Sequence, residues 1–241
     1  MKRILDITAA LTGLLLLSPI LLIVMVLIWR QDFHSPFYIA PRVGKTEKIF
    51  NMVKLRSMIV GADKSGVDST SAMDPRITPI GNFVRKFKLD EFTQLWNVLK
   101  GDMSLVGPRP NVKRETDLYT DIEKKLLSAR PGITDLASIV FSDENEILKD
   151  SRDPDLDYNQ LIRPWKSRLG ILYIDQRSLW LDIRLILLTA VAVINRGTAL
   201  EGVNKILTAM NAPADIIRVS RRKDKLVPFP PPGSDAVVRL R

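Results

Sequence analysis

Asp90 and Glu91 form the pair of side chains in this sequence best suited to chemistry. Leu89, Phe92, Trp96 and Leu99 recur at helical spacing, with Asp90, Gln94 and Asn97 on the opposite face, which predicts a helix over 89–100 that opens on the acidic pair. At a helix start, the dipole and free N–H groups stabilise anions. An ionised aspartate there can attack phosphorus or ligate Mg²⁺ through oxygen, but an Asp-Glu pair can equally do no more than cap the helix. Arg85, Lys86 and Lys88 precede the pair, either as phosphate holders or as a solvated basic face. Arg109 stands between Pro108 and Pro110, which restrict its backbone. A stiffened arginine suits bidentate phosphate recognition, although the prolines would also serve simply to end a strand. Lys54 and Arg56 share one face of an expected strand and add two cations, unless that face is a solvated edge.

These residues need a scaffold. A strand at 37–40, a turn at 41–44 and a strand at 49–58 read as a hairpin. The polar stretch 61–75 reads as a loop. Ile80, Phe83, Val84 and Phe87 give 79–88 a helical period, and Gly101 sits where a helix cap belongs. Residues 111–129 read as one charged amphipathic helix, Pro131-Gly132 as a turn, and 143–163 as acidic and helical around Pro154. Leu185 to Ile194 is almost wholly apolar but too short to cross a bilayer, so it is either a core helix or one lying in the membrane interface with Trp180 at headgroup depth. From Arg218 the chain is basic and rich in proline, the composition of a disordered tail.

With no cysteine and one histidine, His34, the 241 residues exclude a disulfide scaffold, thiolate chemistry and any mechanism needing two imidazoles. The net charge of +9 favours anionic partners: nucleic acid, anionic lipid or phosphorylated small molecules. Lys2-Arg3 leads into an apolar run, Ile4 to Trp29, which as a straight helix would reach about 39 Å against the roughly 30 Å of a hydrocarbon core. A cleaved signal fits poorly, because no small-x-small site follows. A straight span and a re-entrant hairpin broken at Ser18-Pro19 both remain. Positive residues flank both ends (Lys2 and Arg3 before; Arg30, Arg42, Lys45 and Lys48 after), which favours the hairpin with both ends on the cytoplasmic side. Ser18 is placed to hydrogen-bond the carbonyls that Pro19 frees.

The run Lys88-Leu89-Asp90-Glu91, then Gln94-Leu95, then 97–110 (NVLKGDMSLVGPRP) resembles the bacterial sugar transferase family, the monotopic phosphoglycosyl transferases. Further matches follow in order: Ser18-Pro19; Arg42 and Gly44; Phe50, Lys54, Arg56 and Met58; Asp74, Arg76 and Thr78; Gly81 and Arg85; and 131–134 (PGIT). The resemblance covers roughly residues 1–200. It implies an α+β fold: a re-entrant anchor (1–35), a small, mainly helical cytoplasmic catalytic domain with a short β-hairpin and interfacial amphipathic helices (36–200), and a basic, Pro-rich, partly disordered extension (201–241). It further implies that Asp90 attacks the β-phosphate of a UDP-sugar and releases UMP. The covalent phosphosugar then passes to polyprenyl (undecaprenyl) phosphate at the bacterial inner membrane, starting exopolysaccharide or lipopolysaccharide synthesis. Mg²⁺ is implied on Asp90 and Glu91, with Glu91 positioning the metal or handling a proton. Lys54, Arg56, Arg85, Lys88 and Arg109 are the implied phosphate contacts.

Two positions depart from the pattern. Ser142 stands where the family usually has arginine, so any anion binding by that arginine is either missing here or taken over by Arg130 or Arg152. Glu47 stands where a second turn glycine is usual. These put the sugar's identity in doubt more than the reaction. A membrane-anchored, non-catalytic scaffold of a glycan assembly complex is the alternative, and the intact dyad argues against it. A nucleic-acid binder has only the charge in its favour: aromatics are 7% and no recognition motif is evident.

Overall fold

The computed structural model describes residues 1–65 and 74–239; most of the loop expected at 61–75 lies outside them. Helix α1 (Lys2–Asp32) is followed by an antiparallel hairpin of β1 (Phe37–Val43) and β2 (Ile49–Leu55), paired from Phe37↔Leu55 to Val43↔Ile49. Then come α2 (Pro79–Lys86), α3 (Leu89–Phe92) and α4 (Leu95–Lys100). Strand β3 (Ser104–Val106) pairs in parallel with β4 (Gly132–Thr134) across the short helix α5 (Lys113–Thr116). The remainder is helical: α6 (Leu136–Val140), α7 (Glu144–Ile147), α8 (Pro154–Asp157), α9 (Arg163–Gln176), α10 (Leu179–Ile194), α11 (Arg196–Ala209) and α12 (Ala214–Ser220).

Helix α1 is the one described helix long and apolar enough to cross a membrane. Assigned as one helix through Pro19, it is attached to the rest of the chain at both ends. Pro19 cannot donate to the Leu15 carbonyl four residues back, and the Ser18 hydroxyl donates to that oxygen instead, at 2.8 Å. Near the start, Lys2 reaches Asp182 at 2.5 Å, and Arg3 donates to the Val98 and Leu99 carbonyls at 2.6 and 2.9 Å. The buried Asp6, an oddity in an apolar run, accepts from the Ser104 hydroxyl and the Leu105 N–H. At the far end, Asp32 takes a bidentate pair from Arg56 at 2.5 and 2.7 Å. Between the ends, Ala10 packs with Phe50, Leu95 and Val98, and Leu21, Val24 and Ile28 pack with Leu55, Val84 and Leu89. Ile4, Leu15, Leu16, Leu22 and Ile23 stay exposed. The larger core joins α6, α9, α10 and α11 through Leu136, Ile139, Leu169, Leu185, Val203 and Leu207.

Several expectations change. The turn expected at 41–44 is strand as far as Val43, since β1 is the edge of a two-stranded sheet, a place where proline is tolerated. The reversal lies at 44–48, where Thr46 and Glu47 take φ of 54° and 62°. Glu47 therefore occupies a left-handed position that suits glycine. The helix expected over 111–129 is split. Thr120 and Glu123 form a capping box, with both reciprocal bonds at 3.1 Å, and a new 3₁₀ turn begins at Glu123. The helix over 89–100 is also divided, and its faces differ from the expected ones: Gln94 and Asn97 are buried while Trp96 is half exposed. The free edge of β2 is the reason. Asn97 accepts from the Val53 N–H at 2.9 Å and donates to the Asn51 carbonyl at 2.7 Å, as a neighbouring strand would. Gly101 takes φ 93° at the helix end, as its type predicts.

The boundary drawn at residue 200 falls inside α11, whose Ala199, Leu200, Val203 and Ile206 belong to the main core. The proline-rich segment, expected to be partly disordered, has specific partners. Phe229 stacks on Trp165 with ring centroids 4.4 Å apart, its N–H donates to the Gln160 carbonyl at 3.0 Å, and the Pro230 and Pro232 carbonyls accept from Arg168 and Thr120.

Candidate active site

A cavity of about 670 Å³ lies among the hairpin, α3, the loop 107–112 and the segments from α6 to α9. Each of its walls is set by local chemistry. After α2, Lys88 adopts a left-handed conformation (φ 52°) that reverses the chain before α3. Such a conformation costs energy for a residue with a Cβ. It places Asp90 and Glu91 in the first turn of α3, and the Glu91 N–H closes that turn on the Lys88 carbonyl at 3.0 Å.

Each acid has its own cation. Lys54 Nζ, from β2, donates to Asp90 Oδ2 at 3.2 Å. Arg109 Nη2, from the loop between two prolines, lies 2.9 Å from Glu91 Oε1. Burial pushes the Glu91 carboxyl up, but Arg109, Lys54 and Lys88 together outweigh it and hold it at about 2. Glu91 in turn raises Arg109 above the usual arginine value. Burial holds Lys54 below its ordinary value despite Asp90 beside it. Arg85, also lowered by burial, donates to the Ser57 hydroxyl at 2.9 Å and lies within the field of Asp90. Thus Lys54, Arg85, Lys88 and Arg109 converge on the dyad. Arg56 lines the cavity but is taken up elsewhere: its guanidinium binds Asp32 and the Ser35 carbonyl and clamps the junction of α1 with β1.

The donor set can be tested against Mg²⁺. No group of three or more His, Cys, Asp or Glu that could hold a metal occurs among the described residues. Two adjacent carboxylates supply hard oxygen ligands, and Mg²⁺ commonly uses one or two of these and completes its shell with phosphate and water. Asp90 and Glu91 fit that pattern.

The opposite side of the cavity holds residues that the sequence did not single out. Asp135 caps α6, accepting from the Ser138 N–H and hydroxyl at 2.7 Å each, and burial raises its carboxyl above the usual range. Lys166 pairs with Glu144 and lies 5.2 Å from the Tyr158 ring centroid. The Asp135-x-x-Ser138 spacing is a readable capping signal; Tyr158 and Lys166 carry no local signal. Ser142 also lines the cavity, and its hydroxyl is held by Arg196. Arg196 Nε donates to the Ser142 hydroxyl at 3.1 Å and its guanidinium pairs with Asp143 at 2.8 Å.

Residues 1–196 match the bacterial sugar transferase family model, and the chain belongs to that family. It is 40% identical over 204 residues to the galactosyl transferase CpsE of Streptococcus agalactiae, covering 80% of this chain and 42% of that protein. It is 34% identical over 217 residues to the undecaprenyl-phosphate galactose phosphotransferase of Salmonella typhimurium (83% and 41%). It is 37% identical over 196 residues to the undecaprenyl-phosphate glucose phosphotransferase of Komagataeibacter xylinus (78% and 35%). The chain therefore spans less than half the length of these curated relatives.

Proposed function

We propose that this protein transfers a sugar-1-phosphate from a UDP-sugar to polyprenyl phosphate, as the names of its Salmonella and Komagataeibacter relatives suggest for theirs. The observation that carries the reading is the pairing of Asp90 with Lys54 and of Glu91 with Arg109 on one wall of a cavity, in a domain that also binds both ends of an apolar helix.

An Asp90 carboxylate oxygen bonds to the β-phosphorus as the bond to the UMP oxygen breaks, and UMP leaves. An oxygen of the polyprenyl phosphate then attacks the same phosphorus, the aspartyl bond breaks, and Asp90 is regenerated as carboxylate. Splitting the transfer into two displacements avoids bringing two phosphate anions together directly. Lys54, Arg85, Lys88 and Arg109 offset the repulsion between Asp90 and the diphosphate and stabilise charge on the transferred group. Mg²⁺ held by Asp90 and Glu91 would add Lewis-acid polarisation of the phosphoryl oxygens. Glu91, ionised down to about pH 2, stays a ligand rather than an acid across working pH.

The apolar residues of α1 leave its flanks in the bilayer as a re-entrant anchor, both ends on the cytoplasmic face of the inner membrane. What supports this is that Lys2, Arg3 and Asp6 at one end and Asp32 at the other all bind the same domain. Helix α10 adds an interfacial face: Leu181 and Leu185 are buried while Trp180, Leu187 and Ile194 are exposed.

The test is a panel of radiolabelled UDP-sugars with the detergent-folded protein, Mg²⁺ and undecaprenyl phosphate. UMP release matched by a lipid-linked product is expected with at least one sugar. Folded protein that turns over none of them, while Asp90→Asn and Glu91→Gln leave glycan production in cells unchanged, favours the scaffold reading.

A further inference from the structure

We propose that Tyr158 binds a hydroxyl group of the transferred sugar, and that the C-terminal segment 228–238 is the strap that holds Tyr158 in place. This rests on the function proposed above and says which part of the cavity takes which part of the substrate.

The phosphates belong at the dyad, where four cations converge. Arg109, whose guanidinium pairs with Glu91, also lies within the field of Glu144 and so joins that region to the rest of the cavity. Beyond it the wall changes character. The cations on that wall are already taken, Lys166 by Glu144 and Arg163 by Glu123, which leaves little there to hold a second phosphate. Carboxylates, hydroxyls and a phenol are instead the groups that exchange hydrogen bonds with a neutral polyol. Tyr158 is the clearest of them: it lines the cavity, and its hydroxyl has no hydrogen-bond partner among the described residues. Burial, reinforced by Glu144, raises its ionisation far above neutrality, so it remains a neutral O–H.

The backbone that aims Tyr158 is irregular. Residues Tyr158–Ile162 form one π-helical turn directly before α9. Such turns gather at functional sites. Pro164 supplies the cause: it lacks the N–H that would bond the Gln160 carbonyl four residues back, and its ring crowds that oxygen. The vacated carbonyl is taken by the Phe229 N–H at 3.0 Å, and the Gln160 side chain donates to the Val238 carbonyl at 2.7 Å. Phe229 packs against both the Trp165 ring, at 4.4 Å, and the Arg168 guanidinium, at 4.8 Å. The strap thus completes the turn that carries Tyr158, although it lies outside the part of the chain that matches the family model.

The experiment compares wild type, Tyr158→Phe, Phe229→Ala and Phe229→Tyr with the UDP-sugar that turns over best, alongside inhibition by UMP. Tyr158→Phe is expected to raise KM for the UDP-sugar about tenfold, the size of one missing hydrogen bond, and to leave the UMP inhibition constant unchanged. Phe229→Ala should reproduce that split and Phe229→Tyr should restore the wild-type KM. An unchanged KM in Tyr158→Phe, or an equal weakening of UMP, overturns the proposal while wild-type turnover leaves the parent reading standing. No turnover by folded wild type sinks the parent reading instead. Should Phe229→Ala fail to fold, the KM split in Tyr158→Phe decides the sugar contact, and Gln160→Ala, which removes the bond to Val238, tests the strap by the same split.

Discussion

The two sides of the cavity are built in opposite ways. The cations and acids of the dyad come mostly from one stretch of chain, Arg85 to Arg109, joined from β2 by Lys54. The Tyr158 side is assembled from α6, α7, the start of α9 and, indirectly, a tail some seventy residues further on. On the function proposed above, the contiguous wall holds the phosphates and the wall assembled from distant pieces faces the sugar.

The contrast can be broken experimentally. The largest effect is expected from Asp90→Asn, which should cut UMP release by about 10³-fold or more and abolish any phosphosugar adduct on that peptide, with the melting temperature held. Residual turnover within tenfold of wild type would mean that the reactive oxygen lies elsewhere. A smaller effect should follow from Asn97→Ala. This removes the side chain that caps the free edge of β2, leaving the Val53 N–H and Asn51 carbonyl without that partner and a gap where the buried Asn97 stood, at a cost of about 2 kcal/mol in urea unfolding. Because Lys54 follows Val53, KM should rise too, whereas a drop in stability alone would show that the register of Lys54 survives. The mildest effect is a pH dependence. Glu91 is held at about 2 against an ordinary 4.5, so its pairing contributes stability fully above about pH 4.5 and loses it as the pH falls toward 2. Replacing Arg109 with Met leaves burial less opposed, and the acid limb of melting temperature against pH should move upward. An unshifted limb would show that Lys54 and Lys88 suffice.

What can be read from the sequence follows the same division. The dyad, its helix start, Gly101 and the proline-framed Arg109 are legible because spacing, caps and prolines act within a few residues. Lys54 is legible from the strand, but Arg56, expected on the same strand and found just past the end of β2, is not distinguished from it, since only the fold shows that Asp32 claims it. Asn97 reads as outward-facing because a polar residue on a helix ordinarily faces water; the unpaired edge of β2, forty-four residues away, is what draws it in. Glu47 is legible as a departure, and its left-handed backbone gives the physical reason glycine is usual there. Tyr158 is hidden, because its direction depends on a carbonyl freed by Pro164 and satisfied from a tail whose composition alone suggests disorder.

The attachment of α1 at both of its ends has a mechanical consequence. A protein hung from one flexible tether can bob and swivel above a bilayer. Here Lys2 and Arg3 at one extremity and Asp32 at the other join α1 to the domain twice, so that with α1 in a bilayer, as proposed above, helix and domain would move as a unit. On the membrane placement and function proposed above, the height of the Asp90 oxygen over the lipid would be fixed by the dimensions of the molecule itself, and leaflet thickness would set how readily a long-chain carrier presents its headgroup.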